Sequence, residues 1–191
     1  MTKKKYHGQL LAAHPGNPDD DLQESVILMI SHTADISIGL QINSVIENLS
    51  LQEVAKNLGL WWPGNDPLWY GGETDGNKIH VIHSPDWSGL TTIRINDEIS
   101  LTNDVSVIAA LNRGEGPEYY RACAGYRMWA NGSLDRQLRA TTNTTATHRW
   151  ETVESTAENI FGYDGHEQWV NTLDNCAQYR VDSWFTKSIS K

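Results

Sequence analysis

Short apolar runs along the first quarter of the chain predict three consecutive strands. Gln9–Ala13 is a compact apolar run, and residues 25–31 (SVILMIS) form a continuous apolar run typical of a strand covered on both faces. Residues 36–43 (ISIGLQIN) alternate between apolar and small or polar side chains. This alternation predicts a half-buried strand, paired with the preceding one through a turn at residues 33–35.

Helix signals and further strands follow along the rest of the chain. Ser50 and Glu53 form a capping box, which predicts the start of a helix. In a later helix, Val105, Ile108 and Ala109 are expected to form the buried stripe. Further strands are predicted at 68–70, 79–83, 91–95, 98–101 and 119–126, and further helices at 103–112, 133–140, 154–161 and 166–176.

The order of these elements predicts an α+β fold with a mixed sheet, because runs of strands are interrupted by single helices without regular βαβ alternation. The chain has 191 residues, of which 39% are hydrophobic, enough for one core. We therefore expect a single compact domain over residues 8–185, with a flexible N-terminal segment at 1–7 and a C-terminal tail at 186–191.

The charge balance argues against a nucleic-acid partner. The formal net charge is −9, and such a negative field repels phosphate backbones. The basic cluster Lys3, Lys4 and Lys5 lies in a terminal segment, where such residues are usually solvated. No nucleic-acid binding is expected.

The cysteines and the hydropathy favour a reduced cytoplasmic protein. Cys123 and Cys176 have no zinc-binding spacing, and no apolar run reaches the length of a membrane span or of a signal peptide core. We therefore predict a cytoplasmic protein without membrane contact.

The charged clusters do not form a recognisable catalytic or metal motif. Asp19, Asp20 and Asp21 are adjacent, so their side chains diverge, and the segment lacks the spacing of an EF-hand loop; we interpret it as a solvated turn. His80 and His83 are three apart in a predicted strand, which places them on opposite faces and prevents them from chelating one ion.

Nucleophile and phosphate motifs are also missing from the sequence. Cys123 lies between two alanines in an apolar strand, where a thiol is usually buried and unreactive. There is no G-x-S-x-G elbow and no glycine-rich phosphate cradle. No catalytic residue, metal ligand or cofactor is therefore assigned.

Ordered segments over residues 8 to about 175 resemble the signature of the YqgE/AlgH family. Each segment is short, but their order along the chain makes the resemblance specific. The matching positions are 8–15 (GQLLAAHP), 25–26, His32, Gly39, 42–43, 70–72 (YGG), 82–84 (IHS), 124–126 (AGY), 132–135 (GSLD), Leu138, 148–150, 160–161 and Trp169.

The chain departs from the family pattern at several positions. Ser44 and Val45 stand where the family has arginine and proline, and Glu73 follows the double glycine in place of a proline. Tyr126 stands where the family has a tryptophan. The resemblance therefore implies a divergent member, whose surface function is open at these positions.

The resemblance implies a compact α+β domain with a strongly curved mixed sheet and flanking helices. It supplies no catalytic residues. The family is associated with transcriptional regulation, but this sequence shows no helix-turn-helix motif and no basic face that would indicate direct DNA binding. Polar residues shared with the family at strand ends define a candidate cleft of His32, Asn43, His83 and Tyr126. The shared glycines are interpreted as structural turn or close-approach positions: Gly39, Gly71, Gly72, Gly125 and Gly132.

Three functional hypotheses follow. The first is a non-enzymatic binding or regulatory accessory protein that engages a protein or a small ligand. It predicts an exposed apolar patch supplied by tryptophans, namely Trp61, Trp62, Trp69 and Trp129. The second is a structural component of a larger particle or a homo-oligomer. The third is an unrecognised hydrolase or metalloenzyme centred on His32 and His83.

Overall fold

The strands are the main elements of the fold. A computed structural model describes residues 5–15, 17, 20–130, 132–139 and 149–189. Within these ranges the strands are β1 (Gln9–Ala13), β2 (Val26–His32), β3 (Ile36–Gln41), β4 (Val45–Ser50), β5 (Pro67–Tyr70), β6 (Thr74–His83), β7 (Ile93–Arg94), β8 (Ser100–Thr102), β9 (Tyr120–Ala130) and β10 (Trp150–Glu154).

The helices are short except for the last one. In the same ranges they are α1 (Leu51–Asn57), α2 (Ser106–Asn112), α3 (Ser133–Arg139), α4 (Ala157–Phe161) and α5 (Gly165–Ile189). The predicted capping box is present at the start of α1, where the Ser50 amide donates to a Glu53 carboxylate oxygen at 2.8 Å. Of the three aspartates, Asp20 and Asp21 begin a 3-10 turn that ends at Leu22, and Asp19 lies outside the described residues.

The strands form one sheet in the order β10, β1, β2, β3, β9, β6, β8, β7. All neighbours along this path are antiparallel, whereas β5 runs parallel to β9 and also pairs with β4. The predicted α+β fold with a mixed sheet is therefore confirmed.

The sheet is curled around its main hydrophobic core. Leu10 of β1, Leu40 of β3 and Leu101 of β8 belong to one buried cluster, although β1 and β8 lie near opposite ends of the strand order. A flat sheet could not bring these side chains together. On the other face, α1 and α2 cover a second cluster, and α3 covers a third near β1 and β2.

Side-chain hydrogen bonds hold the two ends of the curled sheet together. Asn96, two residues after β7, donates from Nδ2 to the carbonyl of Ser155 at 2.9 Å and to its hydroxyl at 3.0 Å. Ser155 directly follows β10, and its amide and hydroxyl donate to the Gly8 carbonyl. Asn96 Oδ1 accepts the amides of Glu98 and Ile99. The two Nδ2 bonds of Asn96 thus cross the junction, and the two Oδ1 bonds fix its own loop.

One end of the curled sheet is closed by α4 and the start of α5. Arg121 of β9 is buried, and its guanidinium donates to the Ile42 carbonyl and to Gln168 Oε1 of α5. It also donates to the Tyr163 carbonyl and lies 3.9 Å from the ring centroid of Trp69. Burial lowers the pKa of Arg121 to about 10, so the group stays charged at neutral pH and its partners must satisfy it.

A glycine contact lets the chain pass closely beside β9. A Cβ atom on Gly71 would lie 2.2 Å from the Gly125 carbonyl oxygen. Gly125 itself has φ of 71°, and a Cβ there would lie 2.4 Å from the Gly72 carbonyl oxygen. Only glycine fits this approach of two backbones.

Several sequence predictions differ from the structure. Strands β4 and β10 were missed, because β4 is mostly exposed and β10 has no clean alternation. The stripe predicted for α2 was right at Ile108 but wrong at Val105, which is the exposed N-cap residue. The other buried positions are Val107 and Ala110. Helix α5 continues beyond residue 176, because no glycine or proline follows to stop it.

We expect Asn96→Ala to lower the free energy of unfolding by about 2 kcal/mol, because the substitution leaves buried partners without hydrogen bonds. Urea unfolding followed by circular dichroism measures the change. Asn77→Ala, which removes an exposed asparagine from β6, is the control and should stay within about 0.5 kcal/mol of wild type. Equal effects for the two variants would contradict the role of Asn96 in holding the sheet ends.

Candidate functional site

A pocket of about 390 Å³ opens at the end of the main core opposite Arg121. Five of its lining residues are aliphatic, and the other five carry uncharged polar groups. The lining residues are Ile30, Ile38, Leu40, His80, Thr91, Ile93, Leu101, Thr102, Asn103 and Tyr126. The volume falls within the range of ordinary small-molecule sites.

Strand register places the lining residues at this end of the sheet. Ile42 lies just past the end of β3, near Arg121. Leu40 and Ile38 lie progressively farther from Arg121 along the same strand. On β9, Tyr126 lies five residues beyond Arg121. The register of β2 shifts between Met29 and Ser31, a bulge that places Ile30 at the pocket wall.

The pocket is an open continuation of the hydrophobic core. Leu40 and Leu101 are core residues, and Ile30 and Tyr126 pack against the same core cluster. Ile30 on β2 and Ile93 on β7 both line the pocket, although β3, β9, β6 and β8 separate their strands. The curl of the sheet therefore creates the cavity.

His80 is the one imidazole in this wall. Its ring meets Tyr126 edge-on, with the ring centroids 5.9 Å apart. Its Nε2 is buried and has no hydrogen-bond partner among the described residues. Burial lowers the pKa of His80 below the usual 6.5, an effect that the positive charge of Lys78 reinforces and Asp75 partly opposes. His80 is consequently neutral at pH 7.

Three of the other polar side chains in the pocket wall already have partners. The Thr91 and Thr102 hydroxyls lie 3.1 Å apart, and Thr102 Oγ1 accepts the Asp104 amide. The Tyr126 hydroxyl donates to Asp75 at 3.4 Å, near the protein surface. His80 Nε2 is enclosed by its neighbours, whereas Asn103, which also lines the pocket, is exposed and its amide has no hydrogen-bond partner among the described residues.

The candidate cleft predicted from the sequence does not form, because its residues occupy separate regions. His32 pairs with Ser37, which in turn lies beside Trp129 of β9. His83 pairs with Tyr120 at the start of β9. Positions 120 and 129 are nine residues apart, roughly 30 Å along the strand at about 3.3 Å per residue. The two histidines therefore cannot share a substrate or a metal ion.

His32 and Asn43 have local structural partners. His32 Nδ1 lies 2.8 Å from the Ser37 hydroxyl, and its Nε2 lies 3.6 Å from Asp135 of α3. Asn43 Oδ1 accepts the Val26 amide, and its Nδ2 donates to the Gly165 carbonyl at the start of α5. Both side chains connect elements of the fold.

His83 and Tyr126 complete the predicted set. His83 is fully buried, its Nδ1 donates to the Ser84 carbonyl at 2.7 Å, and its ring packs edge-on against Trp87. Burial lowers the pKa of His83. Tyr126 is thus the member of the predicted cleft that lines the pocket, where it meets His80 instead.

Other candidate groups have structural surroundings. Cys123 is buried in the main core, and desolvation raises the pKa of its thiol to about 12, as expected for an unreactive cysteine. Across the described part of the chain, no three His, Cys, Asp or Glu side chains are arranged to hold a metal ion.

The predicted tryptophan patch does not form, because three of its four members are not exposed. Trp62, Trp69 and Trp129 are buried, and Trp61 is exposed. His80 lines the pocket, but the sequence analysis weighed this residue only as one half of a possible metal-binding pair with His83. The apolar residues on either side of His80, Ile79 and Val81, predict a strand, but nothing in their pattern predicts a cavity.

The sequence profile of the AlgH-like family matches residues 10–179. The chain belongs to the AlgH-like family. This confirms the resemblance to YqgE/AlgH proteins that the motifs indicated. A UPF0301 protein of Sphingopyxis alaskensis is 32% identical over 135 residues, covering 70% of this chain and 72% of the relative. A UPF0301 protein of Methylococcus capsulatus is 30% identical over 168 residues, covering 87% and 88%.

Solved structures share the AlgH-like fold. The solution structure of the AlgH protein from Pseudomonas aeruginosa matches with a TM-score of 0.73 at 22% identity, covering 92% of this chain and 90% of that one. A crystal structure of a Corynebacterium diphtheriae protein matches with a TM-score of 0.64 at 18% identity, covering 85% and 82%. At these identities the likeness establishes the fold alone, including its strong sheet curvature.

In the part of the chain that the structure describes, no helix is both long enough and apolar enough to cross a membrane.

We expect the imidazoles of His80 and His83 to titrate below pH 6.5, because burial disfavours their charged forms. Long-range 1H–15N NMR spectra recorded from pH 8 to pH 4.5 measure both midpoints. At a pH between the folded and unfolded pKa values, the unfolded chain binds more protons than the folded protein does. These two groups therefore lower the free energy of unfolding as the pH falls below 6.5. Midpoints at or above 6.5 would contradict the burial of the two rings.

Proposed function

We propose that this AlgH-like chain is a non-enzymatic ligand-binding accessory protein, and that its ligand occupies the pocket between β2, β3, β6, β8 and β9. One observation carries the proposal: the main core continues into an open apolar pocket instead of being closed by side chains. Exposed apolar concavities with a few polar groups are the usual form of small-molecule sites. The protein would therefore act by sensing or carrying a small molecule.

The composition of the wall supports binding rather than catalysis. Its titratable groups among the described residues are one imidazole and one phenol, His80 and Tyr126. General acid–base or nucleophilic chemistry ordinarily combines a reactive group with a second group that activates it. Tyr126 meets His80 through ring contact rather than through a hydrogen bond. This geometry favours retention of a ligand over its conversion.

A regulatory role would follow if ligand binding changed the association with a protein partner. The cytoplasmic location and the lack of nucleic-acid contact stay predictions from the cysteines and the net charge. They are consistent with a small-molecule sensor, because a cytoplasmic site meets metabolites directly.

An assembly role is the second candidate function. The distal part of α5 exposes Tyr179, Val181, Trp184 and Phe185, each by about half or more of its surface. Exposed aromatic side chains on one helix are typical of interaction surfaces. Light scattering across a concentration series would support this role if the mass rose with concentration, and a constant monomer mass would oppose it.

The binding proposal can be tested with N-phenyl-1-naphthylamine, an uncharged dye whose fluorescence rises in apolar surroundings. We expect the wild-type protein to bind the dye with one saturable site. Ile38→Trp should weaken binding by about tenfold or more, because the larger side chain fills the pocket. Fluorescence titration measures both dissociation constants.

The control is Val181→Trp, which adds the same side chain to an exposed position of α5. Both variants are first checked for cooperative thermal unfolding. The dye affinity of Val181→Trp should equal that of wild type. Equal affinity for wild type and a folded Ile38→Trp variant would contradict the proposed site.

A further inference from the structure

We propose that the pocket binds uncharged ligands with an apolar body and a carboxamide or lactam group, and that the side-chain amide of Asn103 binds this group. The inference rests on the proposed function, because it assigns a ligand class to the same pocket. Three features of the wall carry it: the lack of charged side chains, the accessible and unpaired amide of Asn103, and the fixed backbone on both sides of that residue.

The wall favours an uncharged ligand. No Asp, Glu, Lys or Arg side chain of the described residues lines the pocket. Two carboxylates lie beside lining residues: Asp104 follows Asn103 in the chain, and Asp75 accepts the Tyr126 hydroxyl. Both would repel an anion, and both already have partners, because Asp104 binds two backbone amides and Asp75 binds Lys78. A charged ligand would therefore lose water there without gaining a free opposite charge.

Asn103 determines which polar group the ligand should carry. Its side chain is exposed, and its amide has no hydrogen-bond partner among the described residues. It also borders a second cavity of about 560 Å³, so the amide stands where two cavities meet. A side-chain amide presents an acceptor oxygen beside an NH2 donor, and its complement is a group with a donor beside an acceptor. Carboxamides and lactams carry this pair.

Hydrogen bonds fix the backbone on both sides of Asn103. Thr102 precedes it as the last residue of β8, and Thr102 Oγ1 accepts the Asp104 amide at 3.1 Å. The Asp104 carboxylate accepts the Leu90 amide at 3.1 Å and the Ser106 amide at 2.9 Å. A group that is held in place before binding loses less freedom when a ligand arrives. Among the described residues, the fold thus positions the Asn103 amide without using it.

The inner part of the pocket fits the apolar body of such a ligand. Leu40 and Leu101 are buried members of the main core, and Ile30 packs against the same cluster. Asn103 is two residues beyond Leu101, roughly 7 Å farther along the chain. A ring system can therefore lie against the leucines while an attached carboxamide reaches Asn103.

Three naphthalene probes of similar shape test the assignment. 1-Naphthamide carries the donor and the acceptor, methyl 1-naphthoate carries only acceptors, and 1-naphthoate carries a negative charge. Titrations followed by 1H–15N NMR give the dissociation constants, and shifts of backbone amides in β3, β6 and β8 show that a probe lies in the pocket. We expect wild-type protein to bind 1-naphthoate at least about tenfold more weakly than 1-naphthamide.

The ratio of the affinities for 1-naphthamide and for methyl 1-naphthoate tests the role of Asn103. Asn103→Leu keeps the approximate size of the side chain but removes its donor and its acceptor. We expect this variant to lower the ratio about fivefold, because the ester makes one hydrogen bond fewer with Asn103 than the amide does. Asn65→Leu, at an exposed asparagine that does not line the pocket, is the matched control and should keep the wild-type ratio. In wild type, the side-chain NH2 signals of Asn103 should shift when 1-naphthamide binds.

The outcomes separate this inference from the proposed function. If the probes bind in the pocket and the ratio is the same in wild type and Asn103→Leu, the role assigned to Asn103 is wrong although the pocket still binds ligands. Binding of 1-naphthoate as tight as that of 1-naphthamide would overturn the charge argument. If neither these probes nor the N-phenyl-1-naphthylamine dye perturbs the pocket, the proposed function fails as well.

Discussion

The junction between Asn96 and Ser155 is the contact on which the shape of this protein depends. It joins the segment after β7 to the residue after β10, which are the two ends of the sheet path, and Ser155 extends the contact to Gly8 beside β1. Sheets twist on their own, but twist alone does not bring distant strands into one core. Here side-chain hydrogen bonds supply the closure that a continuous backbone ladder would supply in a barrel.

The two openings of the curled sheet, which lie at opposite ends of its strands, differ in structure. At one end a buried guanidinium is satisfied by neutral oxygen atoms from the neighbouring strand and from the segment around α4 and α5, and the main core is closed there. Because removing any of these acceptors would leave a buried charge, this end is expected to be rigid. At the other end none of the described helices contributes a residue to the wall around Leu40 and Leu101, and the core opens there into the pocket beside His80. Binding is therefore assigned to the end that packing leaves incomplete.

Local patterns in the sequence predicted much of the fold and little of the site. The bounds of β1 and the capping box at Ser50 depend on neighbouring residues, and both were found as expected. The candidate cleft failed because it needed the relative positions of His32 and His83, which depend on how far β9 runs between them. His80 was recognisable as a strand residue, but the pocket beside it depends on the curvature of the sheet, which is held by the contact between Asn96 and Ser155, 59 residues apart in sequence. Long-range closure leaves no periodic signal in a single sequence.

The most direct measurement is an anomalous difference map from wild-type crystals soaked in 5-bromoindole. We expect one bromine peak inside the pocket, with the ring between Leu40 and Leu101. A pocket that holds only ordered water, while bromine peaks occur elsewhere on the protein, would contradict it.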